Sequence, residues 1–281
     1  MLINGKQIAS EILSDLKKRV GNLKTKGITP NLYIILLSED ESSASYVKQK
    51  QLRGEELGIK ITLQKVDPAI TTEDLLKKID ILNKDNSVHG IVIQRPMPIR
   101  LDEEKVESAV TPEKDVDGFN QNSGFGVPVA LAVLEILSKI KDMTNNKSKN
   151  LNEWLKNQKI TVIGKGLTAG KPVIKALGKE GIEPSIISSK TENREEILKN
   201  SDIVITAVGK PRIIEKNDLK TGVILIGVGM HREMDGKFHG DYEEKEISEI
   251  TSFYTPTPGG VGPLNVAMLL KNVVEAAENY E

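Results

Sequence analysis

Short apolar, β-branched runs recur along the chain: LYIILL (32–37), IKITL (59–63), GIVIQ (90–94), KITVIG (159–164), PSIIS (184–188), DIVITAVG (202–209) and GVILIGVG (222–229). They are apolar at both alternating positions, which predicts strands covered by helices on both faces and therefore a parallel sheet. Between them the spacing of apolar positions predicts helices over 7–24, 42–57, 72–84, 129–141, 169–179 and 194–200, with a last one over 262–278. Thr71-Thr72-Glu73-Asp74 supplies a helix start signal. Strand and helix alternate throughout, the βαβ signature of an α/β fold. The polar segment KDMTNNKSKNLN (141–152) interrupts this alternation and is expected to edge a second domain. The first three strands then form one sheet and the last four another, with the final helix returning to the first unit.

Length and charge narrow the function. At 281 residues the chain suffices for two compact cores. Lys and Arg number 39 against 40 Asp and Glu, a net charge of −1 that offers no basic field to nucleic acid or anionic membrane. No cysteine is present, which excludes disulfides, thiolate-held zinc and a cysteine nucleophile. With three histidines, no metal site is expected. The first twenty residues are a charged amphipathic pattern without an apolar signal core, so a cytoplasmic location is expected; the longest apolar stretch, 127–134, is too short to span a bilayer.

Several segments carry candidate chemistry. In ITVIGKGLTAGKP, Gly164, Gly166 and Gly170 follow a strand and open a helix, where backbone N–H groups and the helix dipole meet a phosphate. The spacing is one residue longer than the common dinucleotide fingerprint. The next strand ends at Ser188-Ser189-Lys190 with no carboxylate for a ribose 2′-hydroxyl, which suits the 2′-phosphate of NADP better than NAD. Tyr46 and Lys50 share a helix face, and taken alone the pair reads as an ordinary one on a solvated helix. Gln94 closes a strand ahead of Arg95-Pro96-Met97-Pro98, either as a ligand-facing amide or as a partner of loop backbone. Asp115 and Asp117 lie in a turn that lacks further metal ligands. Thr255 to Pro263 (TPTPGGVGP) reads either as a backbone cradle or as a rigid interdomain hinge.

Together, YVKQK (46–50), IVIQRPMP (91–98), PEKDVDGF (112–119), VIGKGLTAGKP (162–172), AVGKP (207–211) and TPTPGGVGPLNVAMLLKN (255–272) resemble, in order and spacing, the bifunctional methylenetetrahydrofolate dehydrogenase/methenyltetrahydrofolate cyclohydrolase family. The resemblance implies a two-domain α/β fold. An N-terminal folate-binding domain would comprise 1–121 with 264–281, and a Rossmann-like NAD(P)-binding domain with a parallel sheet would comprise 122–263. The site would lie in the cleft between them, usually in a homodimer. Matching motifs imply Lys50 as the catalytic lysine, Tyr46 as the tyrosine stacking on the folate aminobenzoate ring, Gln94 as the lysine's amide partner and Asp117 as the pterin anchor. They imply Pro258, Gly259 and Gly260 on the substrate side, and Gly164, Lys165, Gly166, Gly170, Ser189, Val208, Gly209 and Gly229 on the cofactor side. The implied activity oxidises methylenetetrahydrofolate with NADP, or with NAD, and hydrolyses the product to 10-formyltetrahydrofolate in one-carbon metabolism.

The chain departs from the family pattern in places. The segment after Gly124 runs directly through Phe125-Gly126-Val127-Pro128, where the family carries a longer loop. Gly166, Ser188, Gly227, His231 and Asn265 replace usual serine, histidine, acid, asparagine and threonine. A non-catalytic or dehydrogenase-only paralogue, and another NAD(P)-dependent two-domain dehydrogenase, are the alternatives.

Overall fold

The computed structural model describes residues 1–37, 41–144, 146, 150–233 and 236–280. In chain order the elements are α1 (Gly5–Thr25), β1 (Asn31–Leu36), α2 (Glu41–Leu57), β2 (Lys60–Lys65), α3 (Thr72–Lys84), β3 (Gly90–Gln94), α4 (Glu103–Ala109) and α5 (Pro128–Met143). There follow α6 (Leu151–Leu155), β4 (Ile160–Ile163), α7 (Gly170–Lys179), β5 (Ser185–Ile187), α8 (Arg194–Lys199), β6 (Ile203–Thr206) and β7 (Ile224–Gly227). The chain ends through β8 (Met230–Arg232), β9 (Phe238–Gly240), α9 (Glu244–Ile247), β10 (Phe253–Tyr254) and α10 (Val261–Glu278). It divides into two compact units, one of Ser10–Pro128 with Val266–Glu281 and one of Met1–Ala9 with Val129–Asn265.

In the first of these units β1 is the middle of a parallel sheet ordered β2-β1-β3. Successive residues of β1 point to opposite faces, and both faces are apolar. Leu32, Ile34 and Leu36 join Leu16, Val20 and Leu23 of α1 and Leu269, Leu270, Val273 and Val274 of α10. Ile35, with Ile91 and Ile93 of β3, packs on Leu75, Ile79 and Leu82 of α3 and Val106 of α4. This is the physical content of the uninterrupted apolar runs: each buried aliphatic side chain contributes about 1.5–3 kcal/mol of transfer free energy, which a one-faced sheet would forgo at every second position.

In the second unit the sheet is parallel throughout and ordered β10-β7-β6-β4-β5. The chain steps outward from β4 to β5 and then crosses back to β6. The order therefore reverses between β4 and β6, where open α/β sheets form a ligand crevice beyond the strands' carboxyl ends. The fifth strand, β10, is two residues long and too short to show as an apolar run. It is held by pairing with β7 and by the chain's first residues, Ile3 N–H donating to Tyr254 O at 2.8 Å and Tyr254 N–H to Met1 O at 3.0 Å. The polar segment at 141–152 contains the end of α5 and the start of α6, whose Asn150 and Glu153 make a capping box. Residues 145 and 147–149 of that segment lie outside the described residues. Among the described residues no helix is long and apolar enough to cross a membrane.

Candidate functional site

Lys50 lies inward on α2, in register with buried Val47, Gly54 and Leu57, and not on a solvated face. Only 8% of it is exposed. Its Nζ donates to Gln94 Oε1 at 2.9 Å, and Gln94 in turn donates its Nε2–H to Arg95 O at 2.9 Å. The second bond orients the amide so that its oxygen faces the lysine. Burial lowers the Lys50 pKa and the nearby Asp117 charge opposes that shift. Asp117 moves the other way: burial raises its pKa, and the charges of Lys50 and Arg95 oppose the rise. Tyr46, one turn before Lys50, has its phenol pKa raised by burial.

The turn that carries Asp117 is fixed by its neighbours, with Arg95 supplying a positive charge nearby. Arg95 lies with its guanidinium 4.2 Å from the centre of the Phe119 ring, and it pairs with Glu103 at 3.3 Å and with Glu107, both from α4. The Asp115 carboxylate accepts N–H bonds from Gly118 at 3.1 Å and Asn120 at 2.8 Å, and Ser123 Oγ donates to the Asp115 carbonyl at 3.0 Å. Gly118 has φ of +73°, and a Cβ there would meet Phe125–Val127 backbone within 3 Å. The short segment after Gly124 thus packs directly on the Asp117 turn, and Asn272 of α10 ties the two by donating to Val116 O at 2.8 Å and Gly126 O at 3.0 Å. Lys114 is spent on structure, donating to Leu82 O, Asn83 O and Asp85 O at the end of α3.

Burial pushes the Asp115 carboxyl up to about 7 despite its backbone bonds. Between the ordinary value of 3.8 and about 7 the folded chain therefore holds a proton that the unfolded chain releases. Stability must fall as pH rises through that window, by at most about 1.4 kcal/mol per pH unit. Urea unfolding of Asp115→Asn is expected to lose this component of the slope; an unchanged slope would show that Asp115 does not titrate there.

In the second unit the 164–170 loop joins β4 to α7. A Cβ on Gly164 would come 2.6 Å from Ala207 O, and one on Gly170 would overlap Gly164 O, so both positions require glycine. Gly166 is under no such constraint. No side chain caps the start of α7. Lys165 and Gly166 are exposed on this loop, as are Ser189 and Lys190 beyond β5. Val208 and Gly209 follow β6, but their N–H groups are already donated to Asp241, at 3.1 and 2.7 Å. Those two residues therefore offer a ligand carbonyl oxygens and shape. Gly229, after β7, abuts the same carboxylate. In the TPTPGGVGP segment, Lys6 N–H donates to Gly259 O at 3.2 Å, and Gly260 lies so close to Thr255 and Pro256 that a Cβ would clash. The loop is braced by the start of α1, with Pro258 following a cis peptide bond.

Lys50, Tyr46, Gln94 and Asp117 thus share the first unit, and Gly164–Gly170, Ser189, Val208, Gly209, Gly229 and Pro258–Gly260 share the second. Among the described residues no group of three or more His, Asp or Glu is placed to hold a metal ion.

Known proteins resemble this chain over both of its units. The catalytic-domain model of tetrahydrofolate dehydrogenase/cyclohydrolase matches residues 3–117, and the NAD(P)-binding-domain model of the same family matches 140–281. The bifunctional protein FolD of Macrococcus caseolyticus is 37% identical over all of this chain and 98% of its own length. The crystal structure of bifunctional FolD methylenetetrahydrofolate dehydrogenase/cyclohydrolase from Campylobacter jejuni superposes with a TM-score of 0.91 at 33% identity, covering 99% of both chains. The Trypanosoma brucei methylenetetrahydrofolate dehydrogenase-cyclohydrolase, solved with NADP cofactor and inhibitor, gives 0.87 at 27% identity, covering 99% of this chain and 97% of its own. With its two halves matched by the two halves of one family, and full-length relatives above 30% identity, the chain belongs to the tetrahydrofolate dehydrogenase/cyclohydrolase family.

Proposed function

We propose that this chain oxidises 5,10-methylenetetrahydrofolate to the methenyl compound with NADP and then hydrolyses it to 10-formyltetrahydrofolate, and that Lys50 serves the hydrolytic step. The observation that carries the reading is the buried Lys50–Gln94 pair beside Asp117. Folate handling is assigned to 1–121 with 264–281 and the dinucleotide to 122–263, in a cytoplasmic homodimer.

A bound nicotinamide dinucleotide supplies the hydride acceptor. The residues present fit such a group: the backbone between Gly164 and Gly170 closes so tightly that a side chain would fill it, at a strand-to-helix turn beside the sheet's reversal point. Gly164, Lys165, Gly166 and Gly170 would hold the phosphates, with Val208, Gly209 and Gly229 shaping the far wall. Ser189 and Lys190 suit a 2′-phosphate, and the Trypanosoma brucei relative was solved with NADP.

The folate side rests on this chain's own groups. Asp117 accepts hydrogen bonds from the pterin amino and ring N–H groups as a charge-assisted pair. Tyr46 presents its ring to the aminobenzoate, and Pro258, Gly259 and Gly260 line the substrate with rigid backbone. In hydrolysis the neutral Lys50 amine takes a proton from water as the new C–O bond forms. The resulting ammonium protonates N5 as the C–N5 bond breaks, and the hydroxyl proton leaves to solvent as the formyl group forms. One Lys50 N–H stays bonded to Gln94 throughout, which points the lone pair elsewhere. A lysine with lowered pKa suits this two-way transfer.

The test is an absorbance assay with methylenetetrahydrofolate and either NADP or NAD. Turnover is expected to favour NADP, and Lys190→Ser to cut that preference about tenfold by removing one charge-assisted bond. Preference for NAD would overturn the cofactor assignment. Folate binding without turnover in either cofactor would favour a binding paralogue.

A further inference from the structure

One buried carboxylate in the second unit has no part in the chemistry above. Asp241 is fully buried, and its two oxygens accept three consecutive backbone N–H groups: Val208 at 3.1 Å, Gly209 at 2.7 Å and Lys210 at 3.0 Å. Its own carbonyl accepts Ile213 N–H at 2.7 Å and Ile214 N–H at 3.1 Å, so the residue fastens both ends of the segment after β6. Gly229 faces it, and a Cβ there would overlap the carboxylate. Three successive N–H groups converging on one point form an anion cradle of the kind that binds phosphate. This cradle sits after β6, next to the 164–170 loop after β4, so the reversal point of the sheet carries two anion sites side by side.

We propose that Asp241 is the positioning residue of the dinucleotide site: its carboxylate fills the cradle after β6, so that cofactor phosphate is confined to the 164–170 loop and the 207–210 segment presents carbonyls. This rests on the NAD(P) assignment above. In Asp241→Asn, one acceptor oxygen becomes an N–H donor facing backbone donors, and in Asp241→Ala the cradle opens.

The test is NADP affinity by titration calorimetry on wild type, Asp241→Asn and Asp241→Ala, with methenyltetrahydrofolate hydrolysis, which consumes no nicotinamide, as the control for folding. The expected result is an NADP Kd about tenfold weaker or more in both variants, with hydrolysis within about twofold of wild type. Sodium formate is expected to restore affinity to Asp241→Ala by replacing the missing carboxylate. If both variants fail to fold, Asp241→Glu keeps the charge but moves the carboxylate one methylene away from the three N–H groups, and is expected to weaken NADP in the same way. An unchanged Kd overturns the role of Asp241, as does a parallel loss of affinity and hydrolysis that formate does not restore. A wild type that binds neither NADP nor NAD overturns the cofactor assignment itself, and this proposal with it.

Discussion

Lys50→Met is expected to abolish the hydrolysis of methenyltetrahydrofolate while NADP is still reduced, so that methenyl absorbance accumulates where the wild type passes it on. Methionine keeps the length and most of the apolar contact of a side chain only 8% exposed, but it removes the proton carrier. The loss belongs to general acid–base catalysis, on the order of 10²–10⁴-fold. Lys50→Arg is expected to be equally inactive in hydrolysis, because a guanidinium stays protonated and cannot accept the proton from water. Hydrolysis at near wild-type rate in Lys50→Met would remove the lysine from the mechanism.

The second large effect is expected at Asp117. Asp117→Asn replaces a carboxylate that faces Lys50 and Arg95 with a neutral amide able to accept on one side only. Both reactions pass through the folate that Asp117 is assigned to hold, so kcat/KM should fall about 10²–10³-fold in each, with NADP affinity unaltered. The charge of Asp117 also raises the proton affinity of Lys50. Residual hydrolysis should therefore reach its plateau at lower pH than in the wild type. A loss confined to one reaction would contradict a shared anchoring role.

The apolar runs predicted the principal parallel strands and their double covering because burial on both faces leaves no polar alternation to read. What escaped were elements held by partners distant in sequence: β10, sustained by β7 and the first residues of the chain, and the β8–β9 pair, whose register sets His231 opposite His239. At the site, the helix spacing of Tyr46 and Lys50 favoured a solvated reading, although Lys50 shares its side of the helix with buried Val47, Gly54 and Leu57. Gln94 and Asp117 came from motif likeness, whereas Arg95 over Phe119 and the Asp115 clamp depend on α4 and on the turn's own backbone. Asp241 had no signal at all, since its partners are backbone N–H groups some thirty residues earlier, and backbone groups are the same in every sequence.

The fold buries Lys50 beside Asp117 and thereby lowers its proton affinity. The most direct measurement is a pH titration of lysine ¹³Cε resonances by NMR in the intact protein, with Lys50→Met identifying the signal. Lys50 is expected to titrate below the ordinary 10.5, and Asp117→Asn to lower it further. A Lys50 signal titrating together with the surface lysines, and indifferent to Asp117, would contradict it.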